Sequence, residues 1–210
     1  MHITVFGATS ITGKQLVLQA LAKGWQVTAF DRDVRSLIDK DLRTQGLHAI
    51  KGYVFDSGNI AEALQQADAV VSLIGGGLDA TDHSRSLGTR TIIQQMEKKG
   101  LQRIIALGNY GVLDAGDRYI LDTPDYPVAL HNVAQEYLLV YQFLASSSLN
   151  WTLVCPAKIL DENGNRQYRT AAAESPVPDN GEITAGDLAD FILNELSKEQ
   201  FLRQRVGISR

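Results

Sequence analysis

This 210-residue chain has a single cysteine, Cys155, which excludes an internal disulfide and fits a reducing compartment without demanding one. It also lacks a basic excess. Lys and Arg number 20 against 24 Asp and Glu, and a net charge of −4 gives no electrostatic reason to expect nucleic acid as a partner. No apolar run is long enough to span a membrane. The first six residues, Met1 to Phe6, have neither the basic start nor the apolar core of a secretory signal, so the expectation is a cytoplasmic protein without a membrane partner. No Cys/His spacing suits zinc, and neither a His-Glu metal helix nor a P-loop lysine motif occurs, so no metal is expected. An apolar share of 44% with 21% charged residues matches ordinary globular proteins and argues against disorder. The length suits one domain over residues 1–210, a monomer or small homo-oligomer.

Strand-like and amphipathic helical runs alternate from the first residue, as βαβ units require. Strands are expected at 3–6, 26–30, 49–51, 69–74, 103–107 and 151–154, the last ended by Cys155-Pro156 because proline cannot join a central ladder, with 206–208 closing the sheet. Helices are expected at 12–23, 60–66, 83–99, 130–145 and 184–196, with Asp33 capping another. Gly24 and Gly100 stand where helix C-terminal caps belong, and Thr184 precedes Asp187 at capping-box spacing. Residues 108–130 lack periodicity and read as a functional lid, while 161–182 are polar and turn-rich. The predicted class is α/β, a doubly wound, mainly parallel sheet whose core fills 1–150, with 151–210 supplying the last strands and a small C-terminal substrate lobe.

Gly7-Ala8-Thr9-Ser10-Ile11-Thr12-Gly13 directly follows one strand and opens a helix. In that context a glycine-spaced loop becomes a dinucleotide fingerprint: Gly7 allows the tight turn, Gly13 lets the helix approach the sheet, and the amides of Thr9, Ser10, Ile11 and Thr12 point at a pyrophosphate. About 20 residues on, Phe30-Asp31-Arg32-Asp33 stands where ribose is read. Asp31 suits the diol of NAD, whereas Arg32, with Arg35 one turn on, suits the 2′-phosphate of NADP.

Gly-x-x-Gly-x-x-Gly, with Ser10 at the middle glycine, resembles the extended and atypical short-chain dehydrogenase/reductases, which share the NAD(P)-binding Rossmann fold. The departure has two consequences to check: serine would be strained if the backbone needed positive φ there, and its hydroxyl could instead donate to the pyrophosphate. Arg32-Asp33 resembles the Arg-Asp pair of the NmrA-like and biliverdin reductase B (flavin reductase)-like branch, where the arginine faces the 2′-phosphate, so the resemblance implies NADP ahead of NAD. The stretch ending Leu73-Ile74-Gly75 resembles the segment of that branch that passes the nicotinamide. Trp151-Thr152-Leu153-Val154-Cys155-Pro156-Ala157 resembles its Trp/Tyr-Thr-x-x-Arg-Pro segment, with Cys155 for arginine, and implies that Pro156, Ala157, Lys158 and Ile159 lie near the nicotinamide. Gly108 and Asn109 complete the cofactor set, Asn109 toward the carboxamide.

Ordinary short-chain dehydrogenases use a Tyr-x-x-x-Lys pair, and none exists here: Tyr137 is followed at that spacing by Tyr141 and Tyr126 by Leu130. A flavin, quinone or tetrapyrrole acceptor evades that need, because hydride can pass to an electron-poor ring with its proton left to solvent. Tyr110, Tyr126 and His131, on or beside the irregular segment, are the candidate substrate contacts, with Tyr110 and His131 the candidate catalytic groups. The function expected is an NADPH-dependent reductase of a small conjugated acceptor. The alternatives are a non-catalytic NmrA-like dinucleotide sensor and, weakened by the missing tyrosine, a sugar-nucleotide epimerase or dehydratase. Cys155 has no basic neighbour in sequence and reads as a packed thiol.

Overall fold

The computed structural model describes residues 1–38, 45–176 and 181–210. The alternation read from the sequence builds strands β1 (His2–Phe6), β2 (Gln26–Asp31), β3 (Leu47–Lys51), β4 (Ala69–Ser72), β5 (Arg103–Leu107), β6 (Asp114–Ala115), β7 (Arg118–Tyr119), β8 (Asn150–Pro156), β9 (Lys158–Leu160), β10 (Arg169–Ala172), β11 (Glu182–Thr184) and β12 (Gln204–Ser209). The helices are α1 (Ile11–Ala22), α2 (Arg35–Ile38), α3 (Ser57–Ala63), α4 (Ser84–Lys99), α5 (His131–Ser146) and α6 (Ala185–Lys198). Eight strands form the main sheet in the order β10-β12-β8-β5-β4-β1-β2-β3, parallel except for β10. The chain winds outward one way through β2 and β3 and the other way through β4 and β5, so the order reverses between β1 and β4. A crevice opens at the C-terminal ends of the strands at such a reversal.

One apolar face of the sheet packs on α1 and α6, the other on α3, α4 and α5. Central strands are therefore apolar on both faces: β4 is buried along its whole length. Helix ends follow the expected caps. Gly24 and Gly100 take positive φ after α1 and α4, and the Thr184 hydroxyl accepts from the Asp187 amide at 3.0 Å to start α6.

Several expectations need correction. β8 does not stop before Cys155 but runs through it to Pro156, which pairs with Ile208 of β12. Proline is tolerated because β5 ends opposite Val154, so no partner there requires an amide at position 156. The 161–182 stretch contains β10, a short antiparallel edge strand, and leads into β11, which pairs with β9 in a two-stranded parallel ribbon; positions 177–180 lie outside the described residues. Residues 108–130 are more regular than their lack of period implied, forming three 3-10 turns and the β6–β7 hairpin. Most of the C-terminal segment returns to the main sheet through β8, β10 and β12. What stands apart from that sheet in the C-terminal segment is the β9–β11 ribbon with its connections.

Beneath β5 and β8 lies a buried ion pair, Arg103 Nη2 to Glu195 Oε1 at 3.0 Å, in which Glu195 also accepts from the amides of Gln200 and Phe201. Thr152 Oγ1 accepts from Arg103 Nη1 at 2.9 Å. Burial lowers the Arg103 pKa, and the Glu195 and Glu199 carboxylates oppose that. Removing one partner leaves an uncompensated buried charge. Glu195→Ala is therefore expected to lose about 3–5 kcal/mol of stability, measured by urea denaturation, while the surface pair Arg118–Asp117 contributes under about 1 kcal/mol.

Candidate functional site

The turn from β1 into α1 begins at Gly7, which takes φ +77°, a left-handed conformation that favours glycine. A Cβ there would fall on the Leu73 carbonyl, and one at Gly13 on the backbone of Gly7 and Ala8. Both glycines are thus sterically required, Gly7 for the turn and Gly13 for the approach of α1 to it. Ser10 resolves its departure from the family pattern differently from the expectation. Its backbone is extended at φ −63°, so a side chain brings no strain. Its hydroxyl donates to the Gly7 carbonyl at 2.8 Å and accepts from the Gly13 amide at 3.0 Å, which makes Ser10 the N-cap of α1 and leaves its hydroxyl proton already engaged.

Protein partners occupy the amides of Gly7, Ala8, Thr9, Ser10, Gly13 and Lys14. Those of Ile11 and Thr12, in the first turn of α1, have none among the described residues. Thr12 Oγ1 is also buried without a hydrogen bond. Two free amides at the positive end of a helix, closed behind by two glycines, fit a pyrophosphate.

In front of this turn a cavity of about 600 Å³ is lined by Gly7, Thr9 and Ser10, by Asp31 and Arg32 at the end of β2, by Tyr53 and Phe55, and by residues 73–77 after β4. Asp31 faces back into the protein: its Oδ2 accepts from the Thr9 amide at 3.1 Å and the Thr9 hydroxyl at 2.7 Å, and its Oδ1 from the Arg32 amide at 2.7 Å. The Arg32 side chain has no ion-pair partner among the described residues. Arg35 does not share this role. It is paired with Asp33 outside the cavity lining, because a carboxylate two residues away captures it first; the same guanidinium holds the Asp33 carboxyl well below its usual range.

Leu73, Ile74 and Gly75 line the cavity, and a Cβ on Gly75 would meet only open space. Sequence reasoning missed what holds this loop. Asp82 accepts from the Gly77 amide, and hydrogen bonds from Ser84 and then from that amide lower its carboxyl to about 2. The buried Arg85 donates to the carbonyls of Gly77 at 2.9 Å and Gly76 at 2.8 Å. Glu136 of α5 accepts from the Ser86 amide and from His83 Nδ1 at 2.8 Å, tying α5 to the start of α4. The exposed aromatics Tyr53 and Phe55 were also missed. An acidic cap just before a helix was the one local signal for Asp82.

Tyr110, Tyr126 and His131 do come together, with Tyr126 between the other two at ring-centroid distances of 5.2 and 5.3 Å, although none lines the 600 Å³ cavity. Asn109 is buried beside them. Gly108 packs against Cys155 and Leu153, its amide donating to the Val154 carbonyl at 2.7 Å, and so serves the sheet. Pro156 is buried in β8. Ala157 and Ile159 continue the same edge half-buried, while Lys158 turns outward to Glu182 at 2.9 Å. The Cys155 thiol is buried and pushed up to about 12 by desolvation, which suppresses the thiolate a nucleophile needs.

A family model described as NAD(P)H-binding matches residues 7–199. The chain belongs to the NAD(P)H-binding family. Among relatives of this NAD(P)H-binding protein, the uncharacterized protein YwnB of Bacillus subtilis (strain 168) is 24% identical over 216 residues, spanning 99% of this chain and 98% of its own. Two solved structures have the same fold at a TM-score of 0.84. One, named as a candidate exported protein from Burkholderia pseudomallei, is 28% identical over 100% of both chains. The other, SP1627 of Streptococcus pneumoniae TIGR4, named as a candidate NADH-flavin reductase, is 25% identical over 99% of this chain and 98% of its own. No helix among the described residues is long and apolar enough to cross a membrane.

The cap assignment for Ser10 separates two substitutions. Ser10→Ala should cost about 1 kcal/mol of stability and Ser10→Gly only a few tenths, read from paired denaturation curves. Gly13→Ala, which must push α1 off the turn, should weaken dinucleotide binding by at least a hundredfold in a fluorescence titration, a hundredfold being about 2.7 kcal/mol.

Proposed function

We propose that this NAD(P)H-binding protein is an NADPH-dependent reductase of small conjugated acceptors, flavins or quinones, acting in the cytoplasm. The observation that carries the choice of cofactor is the contrast between Asp31 and Arg32 at the mouth of the cavity. Asp31 already accepts three hydrogen bonds from the protein and has little capacity left for a ribose diol, while Arg32 keeps a guanidinium fork unpaired, the geometry that clamps a phosphate. The Ile11 and Thr12 amides would hold the pyrophosphate, and Tyr53 and Phe55 offer apolar rings to the adenine end. The bound nicotinamide would supply a hydride to the acceptor. The chain's part is to align the two rings and exclude water, for which the glycine-lined edge at residues 75–77 and the Tyr110–Tyr126–His131 cluster are suited.

A flavin or quinone acceptor is supported by what the site omits. No Tyr-x-x-x-Lys pair is present in the sequence, and the buried Tyr126 phenol is raised well above its ordinary pKa by desolvation, so it holds its proton. Reduction of a quinone to its quinol by hydride plus one solvent proton needs no such acid. The name of SP1627 agrees with a flavin acceptor, although it specifies NADH. The same missing acid favours a second reading, a dinucleotide sensor, which would bind cofactor and reduce nothing.

Arg32→Ala is expected to weaken NADPH binding about tenfold to a hundredfold, the range of a charge-assisted hydrogen bond, and to leave NADH binding within about twofold. Isothermal titration with both cofactors measures this, and equal losses for the two would reject the NADP assignment. Loss of NADPH absorbance with FMN, riboflavin or menadione tests turnover. Tight binding without turnover of any acceptor would overturn the reductase reading and leave the sensor.

A further inference from the structure

Asn109 lies two residues past the end of β5, between β4 and β8. The registers Ser72 with Ala106 and Leu107 with Val154 bring it to the stretch of sheet edge that runs from Gly75 to Pro156. Its Oδ1 accepts two hydrogen bonds, from the Gly111 amide at 2.8 Å and from the Tyr126 hydroxyl at 2.8 Å. A backbone amide can only donate, so the bond to Gly111 fixes which branch of the side chain is oxygen. The other branch diverges from both donors. Asn109 is 8% exposed, and its Nδ2 has no hydrogen-bond partner among the described residues yet is not sealed from solvent. Tyr126 itself is 4% exposed and gripped between Tyr110 and His131. Gly111 leaves just enough room, since a Cβ there would come within 2.8 Å of both Asn109 Oδ1 and the Tyr126 hydroxyl.

We infer that Tyr126 is a positioning residue which, with the Gly111 amide, locks Asn109 so that Nδ2 presents donors to a carbonyl oxygen bound at this edge. Tyr126, expected from sequence as a substrate contact, thus acts through Asn109, its hydroxyl turned into the protein. The carbonyl belongs either to the carboxamide of the nicotinamide or to the acceptor. This inference rests on the reading of the edge as a dinucleotide site and adds to it a specific recognition group. Asn109→Asp keeps an oxygen for Gly111 and Tyr126 to donate to but replaces the outward donor with an acceptor, and Tyr126→Phe removes one of the two restraints.

The test compares wild type, Asn109→Asp, Asn109→Ser and Tyr126→Phe, each first checked for a cooperative thermal transition. Affinities are measured for NADPH and for 2′-phospho-ADP-ribose, which lacks the nicotinamide, and kcat and KM for menadione reduction. For the carboxamide, Asn109→Asp should weaken NADPH at least tenfold and leave 2′-phospho-ADP-ribose unchanged. For the acceptor, it should leave both affinities unchanged and lower kcat/KM for menadione at least tenfold. Tyr126→Phe should move the same quantity in the same direction by a smaller factor, which a tyrosine serving only packing would not do. Asn109→Ser carries the comparison if the aspartate variant fails to fold. Variants matching wild type in every quantity, or Tyr126→Phe moving a different quantity from Asn109→Asp, would overturn the inference alone. A wild type that binds neither NADPH nor 2′-phospho-ADP-ribose overturns the dinucleotide reading and this inference with it. If wild type binds NADPH but reduces nothing, the NADPH affinities decide by themselves.

Discussion

The contact between Gly13 and the backbone of Gly7 and Ala8 is the constraint on which the arrangement of this molecule depends. It sets α1 directly behind β1, so that the helix's first turn opens at the point where the strand order reverses. A side chain at Gly13 would push the helix off the turn, and one at Gly7 would collide with the Leu73 carbonyl at the end of β4. Asp31 extends the same constraint sideways by tying the end of β2 to Thr9, and Leu73, whose amide donates to the Phe6 carbonyl at 2.8 Å, ties in the end of β4. Three strand ends are therefore fastened to one turn. The cavity is what remains between them.

Most of the sheet was legible in the sequence because a parallel strand buried on both faces writes its burial locally, as in Ala69-Val70-Val71-Ser72, and because helix ends carry their own caps, as Gly100 and Thr184 do. The elements that escaped depend on partners far away in the chain. Arg169-Thr170-Ala171-Ala172 has no pattern of its own and is a strand only because β12 offers a free edge. Pro156 was read by a rule that assumes a partner on each side, and β5 has already ended there. The hairpin and 3-10 turns of residues 108–130 have spans too short for any period to register.

The candidate site divides the same way. The glycine turn is a local structure and its place between β1 and α1 was legible, whereas the role of Ser10 was not, because a cap is defined by the extended backbone and by the Gly7 and Gly13 atoms its hydroxyl reaches. Arg32 and Arg35 looked equivalent in sequence, and only geometry separates them: Asp33 reaches Arg35 and not Arg32. Arg85, Asp82 and Glu136 gave little sign of their role, because each works on main-chain atoms of another segment. A buried arginine capping two glycine carbonyls is defined by the fold around it.

The same hydrogen bonds decide which polar groups remain unengaged around the site. The carboxylate and amide oxygens at the cavity and its adjoining edge are already bonded to the protein: Asp31 to Thr9 and Arg32, Asp82 to Gly77 and Ser84, and the Asn109 oxygen to Gly111 and Tyr126. What is left over is mainly donors, namely the Ile11 and Thr12 amides, the Arg32 guanidinium and Asn109 Nδ2. An edge that offers donors suits phosphate and carbonyl oxygens. The side chains that fasten the loops thus use up their own acceptors in doing so, and the groups left over at the cavity and its edge are donors for that one reason.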